Sequence, residues 1–194
     1  MSDAGSSGPP DGEPGRLSGR LIHDGRIVHL SIDEVRFPDG STGELEMIRH
    51  PGASAVIPFT GTPADPDPEI LMVHQYRYAA GGFLYEIPAG LPHPGESWEA
   101  CAHRELQEET GWHTANLRYL TSVRTTPGFT DECIRLFAAW DLTWGEVDPD
   151  DDEFIEVVAI PLSRAVGMVK DGEITDGKTM AALLFAQAFR DGWK

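Results

Sequence analysis

The sequence predicts an α/β or α+β fold: a main domain with a mixed β-sheet, preceded by a small antiparallel β unit. Short segments that alternate between apolar and polar residues, separated by turn residues, are typical of strands. Longer segments with apolar residues three and four positions apart indicate a few helices between and after these strands. Hydrophobic residues make up 40% of the 194 positions, which is enough to form a core.

The first fifty residues divide into two parts. Residues 1–16 are mostly Gly, Ser, Pro and acidic residues, a composition typical of a disordered tail. Residues 17–50 show strand-like alternation, which turn residues interrupt at 24–25 and at 38–40. We therefore expect two hairpins in a small antiparallel unit. Residues 51–194 form the main domain.

Strand and helix patterns share the main domain. A helix is expected to begin after Ser97, whose hydroxyl can cap it, and to end at Thr110, before Gly111. A short helix begins near Ser163, and an apolar-faced helix closes the chain. The acidic segment 148–154 is expected to be a loop. Strands are predicted at 53–59, 69–78, 83–90, 117–125, 133–144 and 155–162.

The charge of the chain argues against several kinds of partner. Asp and Glu number 32 and Lys and Arg 15, which gives a formal net charge of −17. Such a field repels nucleic acids and acidic membranes, so we expect neither as a partner. An anionic small molecule could bind only where metal ions or arginine side chains supply local positive charge.

The chain shows no pattern of a membrane or secreted protein. No apolar run reaches the roughly 18 residues that a membrane helix requires. The N-terminus lacks the positive start and the apolar stretch of a signal peptide. The two cysteines, Cys101 and Cys133, belong to neither a CxxC pair nor a zinc-binding pattern. We expect a cytoplasmic protein with reduced, structural cysteines.

Three glutamates lie close together on the predicted helix that follows Ser97. Glu105, Glu108 and Glu109 are spaced i, i+3 and i+4, so they share one face of that helix. One interpretation is a solvated acidic face in which Arg104 pairs with Glu108. The other is a set of carboxylates that holds a hard divalent cation, which prefers oxygen ligands.

The wider segment favours the second interpretation. From position 90 the chain reads GLPHPGESWEACAHRELQEETGW. Its pattern is Gly, five residues, Glu, seven residues, Arg-Glu-Leu, one residue, Glu-Glu, one residue and Gly. This pattern resembles the Nudix box, the signature of the Nudix hydrolases. Trp112 stands where that family usually has an aliphatic residue, and it remains apolar and able to pack.

The resemblance implies a Nudix fold, a mixed sheet between helices, and a role for each residue of the box. Glu105, Glu108 and Glu109 are then ligands of Mg²⁺ or Mn²⁺. Glu108 and Arg104 are also candidate catalytic residues. The expected supporting residues are Glu96, which pairs with Arg104, together with Gly90 beside the metal and Gly111 at the end of the helix.

Flanking segments resemble the ADP-ribose pyrophosphatase subgroup. The run EIPAG at 86–90 is similar to the strand before that subgroup's box, which implies the Ala89 carbonyl as a metal ligand. Pro127 lies fifteen residues after Trp112, an offset typical of the subgroup. The loop TPGFTDE at 126–132 is similar to its catalytic loop, which implies that Glu132 acts as the base or positions the water. Two alternatives remain. The loop could be a plain turn, and the base could be Asp131 or a glutamate of the box.

Arg77 is a candidate substrate-binding residue. It lies in QYRY at 75–78, which resembles a strand whose arginine binds the diphosphate in the same subgroup. The other interpretation is an exposed arginine on a strand.

The resemblance also implies a reaction and an assembly. The expected activity is hydrolysis of ADP-ribose to AMP and ribose 5-phosphate. Alternatives are a pyrophosphatase for another nucleoside diphosphate derivative, namely GDP-mannose, NADH or FAD, and a non-catalytic sensor of ADP-ribose. The expected assembly is a homodimer in which residues 17–50 cross to the partner and help to form the substrate site.

Overall fold

The computed structural model describes residues 12–145 and 155–193. Most of the expected N-terminal tail and the expected acidic loop at 148–154 lie outside these ranges. The described chain forms two compact units. One runs to His50 and also includes Thr126–Glu132, and the other comprises Pro51–Thr125 and the residues from Cys133 onward.

The first unit contains a three-stranded antiparallel sheet in the order β1-β2-β3. Both predicted hairpins are confirmed. Its strands are β1 (Gly15–Asp24), β2 (His29–Arg36) and β3 (Thr42–Arg49).

The first strand includes the last two residues of the segment assigned to the tail. Strand β1 already begins at Gly15, and Arg16 pairs with Val35 in the ladder and approaches buried Asp33. Composition predicts poor intrinsic order in a Gly- and Pro-rich segment. The composition of a segment does not show that Arg16 will approach the buried Asp33, seventeen residues further along the chain.

The second unit contains a mixed sheet with the order β7-β4-β10-β9, in which β4 and β10 are parallel and the other neighbours antiparallel. A three-stranded antiparallel sheet has the order β12-β5-β6, and β8 pairs with β11. The strands are β4 (Ala53–Pro58), β5 (Glu69–Arg77), β6 (Gly82–Glu86), β7 (Ala89–Gly90), β8 (Trp112–His113), β9 (Asn116–Arg124), β10 (Cys133–Trp140), β11 (Thr143–Trp144) and β12 (Ile155–Pro161). The helices are α1 (Trp98–Thr110), α2 (Leu162–Asp171) and α3 (Gly177–Phe189), with one 3₁₀ turn at Tyr78–Ala80.

Helices cover both faces of the mixed sheet, as the predicted fold requires. Side chains alternate along a strand, so Val56 in β4 points to the opposite face from Ile57. Val56 packs with Ala102 and Leu106 of α1, whereas Ile57 belongs to the core that includes Leu183 of α3. This arrangement holds α1 on one face of β4 and β10.

Helix α1 has the predicted bounds because its ends are capped as the sequence indicates. The Ser97 hydroxyl accepts a hydrogen bond from the Ala100 N–H at 3.1 Å. Gly111 has φ +77°, a left-handed conformation that suits glycine, and its N–H donates to the Gln107 carbonyl. The expected packing of Trp112 is also present, because its ring contacts that of Trp144 edge to face at 5.4 Å.

Two predicted strands are interrupted. The segment 83–90 divides at Ile87-Pro88, so that β6 pairs with β5 and β7 pairs with β4. Proline has no N–H for a ladder, and the Pro88 carbonyl instead accepts the Val56 N–H at 2.9 Å. The segment 133–144 ends as a strand at Trp140, because Asp141 has φ +55° and turns the chain before β11.

Among the helices of the described ranges, none combines the length and the apolar character needed to cross a bilayer.

Candidate active site

Helix α1 brings the three glutamates of the box to one face, in different environments. Glu105 and Glu109 are only 8% and 2% exposed, and Glu108 is partly exposed. Leu106 lies on the other side of the helix and is completely buried. A buried carboxylate is costly unless a charged or hydrogen-bonding group compensates it, so the partners of these side chains determine what the face can bind.

Arg104 supplies much of this compensation. Its Nη1 lies 2.8 Å from Glu105 Oε1 and 2.7 Å from Glu108 Oε2. Its Nε and Nη2 form two hydrogen bonds of 3.0 Å to the carboxylate of Glu96, and Nη2 also donates to the Leu91 carbonyl at 2.8 Å. The predicted Glu96–Arg104 and Arg104–Glu108 pairs are therefore both present. Arg104 ties the loop before α1 to the carboxylate face.

These contacts change the ionisation of the paired groups. The hydrogen bonds from Arg104 lower the pKa of Glu96. Burial by itself would lower the pKa of Arg104, but its hydrogen bonds to Glu96 and Glu108 and the charge of Glu105 outweigh burial and raise it. The guanidinium is thus a permanent cation among the carboxylates.

The backbone of β7 approaches the carboxylates closely. The Ala89 N–H donates to Glu109 Oε1 at 3.4 Å. A Cβ on Gly90 would clash with the carboxylate of Glu105, at 2.5 Å from its Oε2. The Gly90 carbonyl also accepts from the thiol of buried Cys101 at 3.5 Å. The Glu105 carboxylate can therefore keep this position only if residue 90 has no side chain.

The donor set fits a hard divalent cation. Carboxylates of Glu105, Glu108 and Glu109 and the backbone of Ala89–Gly90 are oxygen donors of the kind that Mg²⁺ and Mn²⁺ prefer. The close approach at Gly90 leaves room for carboxylate oxygens beside the backbone. Within residues 12–145 and 155–193, no three acidic, His or Cys side chains already converge in a geometry that would hold a metal ion. In this structure the carboxylates of Glu105 and Glu108 are both paired with Arg104.

Arg77 lies in a separate charged cluster of the same unit. Its Nε and Nη2 bind both oxygens of Glu86, at 3.0 and 2.8 Å. Lys178 Nζ lies 2.8 Å from Glu86 and 3.0 Å from Asp176. The Arg77 side chain is 41% exposed, whereas that of Glu86 is only 3% exposed. Arg77 therefore has a fixed orientation and also an accessible surface.

Sequence reasoning did not identify Glu86, Lys178 or Asp176 as members of this cluster. Glu86 lies in the EIPAG run, which resembles the subgroup, and Lys178 lies in the run ITDGKT. No local spacing relates the two segments, because their contact joins positions 92 residues apart. Only the tertiary fold brings them together.

The loop at 126–132 belongs to the first compact unit. It is a turn, in which Pro127 follows Thr126 and the Thr126 carbonyl accepts the Phe129 N–H at 3.1 Å. Glu132 is partly buried, and its Oε1 lies 3.5 Å from His50 Nε2. Both oxygens of Asp131 are in use: Oδ1 accepts the His50 N–H at 2.8 Å, and Oδ2 lies 3.1 Å from Arg49 Nη1.

Comparisons with known proteins find a matching family model, similar sequences and a similar solved structure. The model of the NUDIX domain family matches residues 49–183. An ADP-ribose pyrophosphatase of Bacillus subtilis is 37% identical over 86% of this chain and 88% of its own length. A methanol dehydrogenase activator of Bacillus methanolicus is 40% identical over the same shares. The solved structure of an ADP compounds hydrolase, 21% identical, superposes with a TM-score of 0.78 over 93% of this chain and 95% of its own.

The charged cluster around Glu86 predicts a pH-dependent contribution to stability. Burial would raise the pKa of Glu86, but the hydrogen bonds from Arg77 and the charge of Lys178 outweigh it and lower the pKa. A carboxylate with a lowered pKa stabilises the folded state above the ordinary value of 4.5, and this stabilisation is lost as the pH falls further. We expect Glu86→Gln to reduce the free energy of unfolding at pH 7 by about 2 kcal/mol.

Urea unfolding at pH 7 and at a series of values below 4.5 measures this effect. The difference between wild type and Glu86→Gln should shrink as the pH falls. Glu99→Gln, which changes an exposed glutamate in the first turn of α1, is the control and should follow the wild type. A difference that stays constant with pH would contradict the interpretation.

Proposed function

Because this chain belongs to the NUDIX domain family, we propose that it is a metal-dependent hydrolase that converts ADP-ribose and water into AMP and ribose 5-phosphate. The observation that carries the substrate assignment is the extent of the likeness to ADP-ribose pyrophosphatases. Those of Bacillus subtilis and Mycobacterium tuberculosis align with 86% and 91% of this chain. A GDP-mannose pyrophosphatase of Yersinia enterocolitica is 38% identical but aligns with only 63%.

The box residues would hold Mg²⁺ or Mn²⁺. Glu105, Glu108 and Glu109 would provide carboxylate oxygens and Ala89 a carbonyl oxygen. A divalent cation supplies positive charge to the phosphate oxygens and lowers the pKa of a bound water. This local charge is necessary because a chain with a net charge of −17 otherwise repels a diphosphate.

The protein's own side chains would perform the other tasks. Arg104 holds Glu105 and Glu108 in one orientation, which limits their motion. Glu132 removes a proton from the attacking water or orients it. Arg77, fixed by Glu86 and partly exposed, binds the diphosphate. The water oxygen forms a new bond to phosphorus, and the bond from phosphorus to the bridging oxygen breaks.

A hydrolysis assay with Mg²⁺ tests this proposal. ADP-ribose, GDP-mannose, NADH and FAD are compared at equal concentration, and the products are separated by chromatography. We expect ADP-ribose to have the highest kcat/KM and to yield AMP. A higher value for another substrate would contradict the substrate assignment but not the chemistry. Binding of ADP-ribose without cleavage in either metal would instead indicate a sensor.

Glu109 and Glu132 should differ in what their removal affects. Glu109→Gln removes a proposed metal ligand, so the affinity for Mn²⁺ should fall at least about tenfold and activity should fall with it. Glu132→Gln removes the proposed base, so kcat should fall by about 10²- to 10⁴-fold while the affinity for Mn²⁺ is kept. Electron paramagnetic resonance of free Mn²⁺ measures the affinity.

The control for both variants is Glu99→Gln on the exposed side of α1. It should change neither quantity. Equal losses of Mn²⁺ affinity in Glu109→Gln and Glu132→Gln would contradict the division of roles.

We also propose that the protein is a homodimer that associates through its N-terminal sheet. Four large apolar side chains of the β1–β2 hairpin are 43–61% exposed: Leu21, Ile22, Ile27 and Val28. An exposed apolar group of this kind is typical of an interface. The double variant Leu21→Glu/Ile27→Glu should therefore shift the mass in solution from dimer to monomer.

Light scattering coupled to size exclusion measures that mass. Leu184→Glu, on α3 with 49% exposure, is the matched control and should leave the dimer intact. A monomeric wild type, or a dimer that survives the double variant, would contradict the proposal.

A further inference from the structure

We propose that Arg49, acting through Asp131, is a positioning residue that fixes the loop carrying Glu132. The proposal rests on the role given to Glu132 above. It concerns contacts within the first compact unit alone, namely the N-terminal sheet and the segment Thr126–Glu132.

The contacts begin at a buried aspartate. Asp33 in β2 is only 1% exposed. Its carboxylate accepts a hydrogen bond from the Ser31 hydroxyl at 3.0 Å, approaches Arg16 Nε at 3.3 Å, and pairs with Arg49. A Cβ on Gly19 would lie 2.5 Å from Asp33 Oδ1, so a residue without a side chain is needed there. A buried carboxylate with these partners gives Arg49 a fixed anchor.

Arg49 binds two carboxylates at once. Its Nη2 pairs with Asp33, and its Nη1 lies 3.1 Å from Asp131 Oδ2. Arginine suits this task because its planar guanidinium presents several donors in a rigid arrangement. Arg49 thereby links Asp131 to the buried Asp33 of the sheet.

The contacts also explain the role of Asp131, a rival of Glu132 as the base. Its second oxygen, Oδ1, accepts the backbone N–H of His50 at 2.8 Å. Both oxygens are thus occupied by groups of β3 and the residue that follows it. We assign Asp131 to holding the loop, so that Glu132 and not Asp131 is the candidate base within this loop.

Two consecutive residues hold two consecutive carboxylates. Arg49 and the His50 N–H bind Asp131, and the His50 ring lies 3.5 Å from the carboxylate of Glu132. The Ile48 N–H donates to the Phe129 carbonyl at 2.8 Å, and Ile48 forms a parallel bridge with Thr130. The end of β3 therefore determines the register of the loop.

Precise placement of a base matters for rate, because a displacement of about 1 Å can cost about a hundredfold. Loss of the Arg49–Asp131 contact should therefore reduce kcat and leave KM and the affinity for Mn²⁺ unchanged. A direct contact of Arg49 with substrate would instead raise KM.

The experiment uses Arg49→Met, Asp131→Asn and the double variant, each also combined with Glu132→Gln. With the best substrate of the assay above, each single variant should lower kcat by about tenfold to a hundredfold. The double variant should be no slower than the slower single variant, because both lose the same contact. In the Glu132→Gln background, neither substitution should lower kcat further.

A second measurement does not depend on activity. Amide hydrogen exchange in residues 126–132 should be at least about threefold faster in both single variants. Arg164→Met removes an exposed guanidinium from α2, and it should change neither exchange nor kcat. Asp131→Asn leaves Asp33 and its partners in place, so it remains informative if Arg49→Met is unstable.

The outcomes separate this proposal from the one it rests on. If Glu132→Gln keeps full activity, the role of Glu132 is wrong. If Glu132→Gln is slow but Arg49→Met and Asp131→Asn are not, only the positioning role is wrong. Unchanged exchange in both variants, or a rise in KM confined to Arg49→Met, would also overturn it.

Discussion

The pairing of Arg104 with Glu96, Glu105 and Glu108 is the interaction on which the acidic face of α1 depends. Like charges at i, i+3 and i+4 repel one another, and burial adds a desolvation cost. Arg104 offsets both effects and fixes the loop before the helix through Glu96 and the Leu91 carbonyl. The absence of a side chain at Gly90 then allows the backbone of β7 to approach Glu105.

Buried carboxylates are also paired with basic side chains in two further clusters of the described residues. Arg49 lies between Asp33 and Asp131, and Glu86 lies between Arg77 and Lys178. In each case a largely buried carboxylate orients a cation whose other contacts lie nearer the surface. For a chain with a net charge of −17, this arrangement keeps the few cations at defined positions. Arg49, Arg77 and Lys178 are therefore held in fixed orientations.

Local chemistry made much of this fold predictable. The cap at Ser97, the glycine at 111, the hairpin turns and the i+4 pairing of Arg104 are all determined within a few residues, and the structure has each of them. The breaks at Pro88 and Asp141 were missed because apolar residues lie on both sides of each position. The contacts of Arg49 with Asp131 and of Lys178 with Glu86 join segments 82 and 92 residues apart. No spacing in the sequence relates such positions, so only the folded chain reveals them.

The break at Ile87-Pro88 also limits how this protein can evolve. Glu86 is paired with Val73 on one sheet and Ala89 with Ala55 on another, so only two residues connect them. An insertion or deletion here would shift either the partner of Arg77 or the backbone beside Glu105. The exposed turn between β5 and β6, at Tyr78–Gly81, carries no such double constraint. Length variation among homologues should accumulate at that turn and be absent from the connection between β6 and β7.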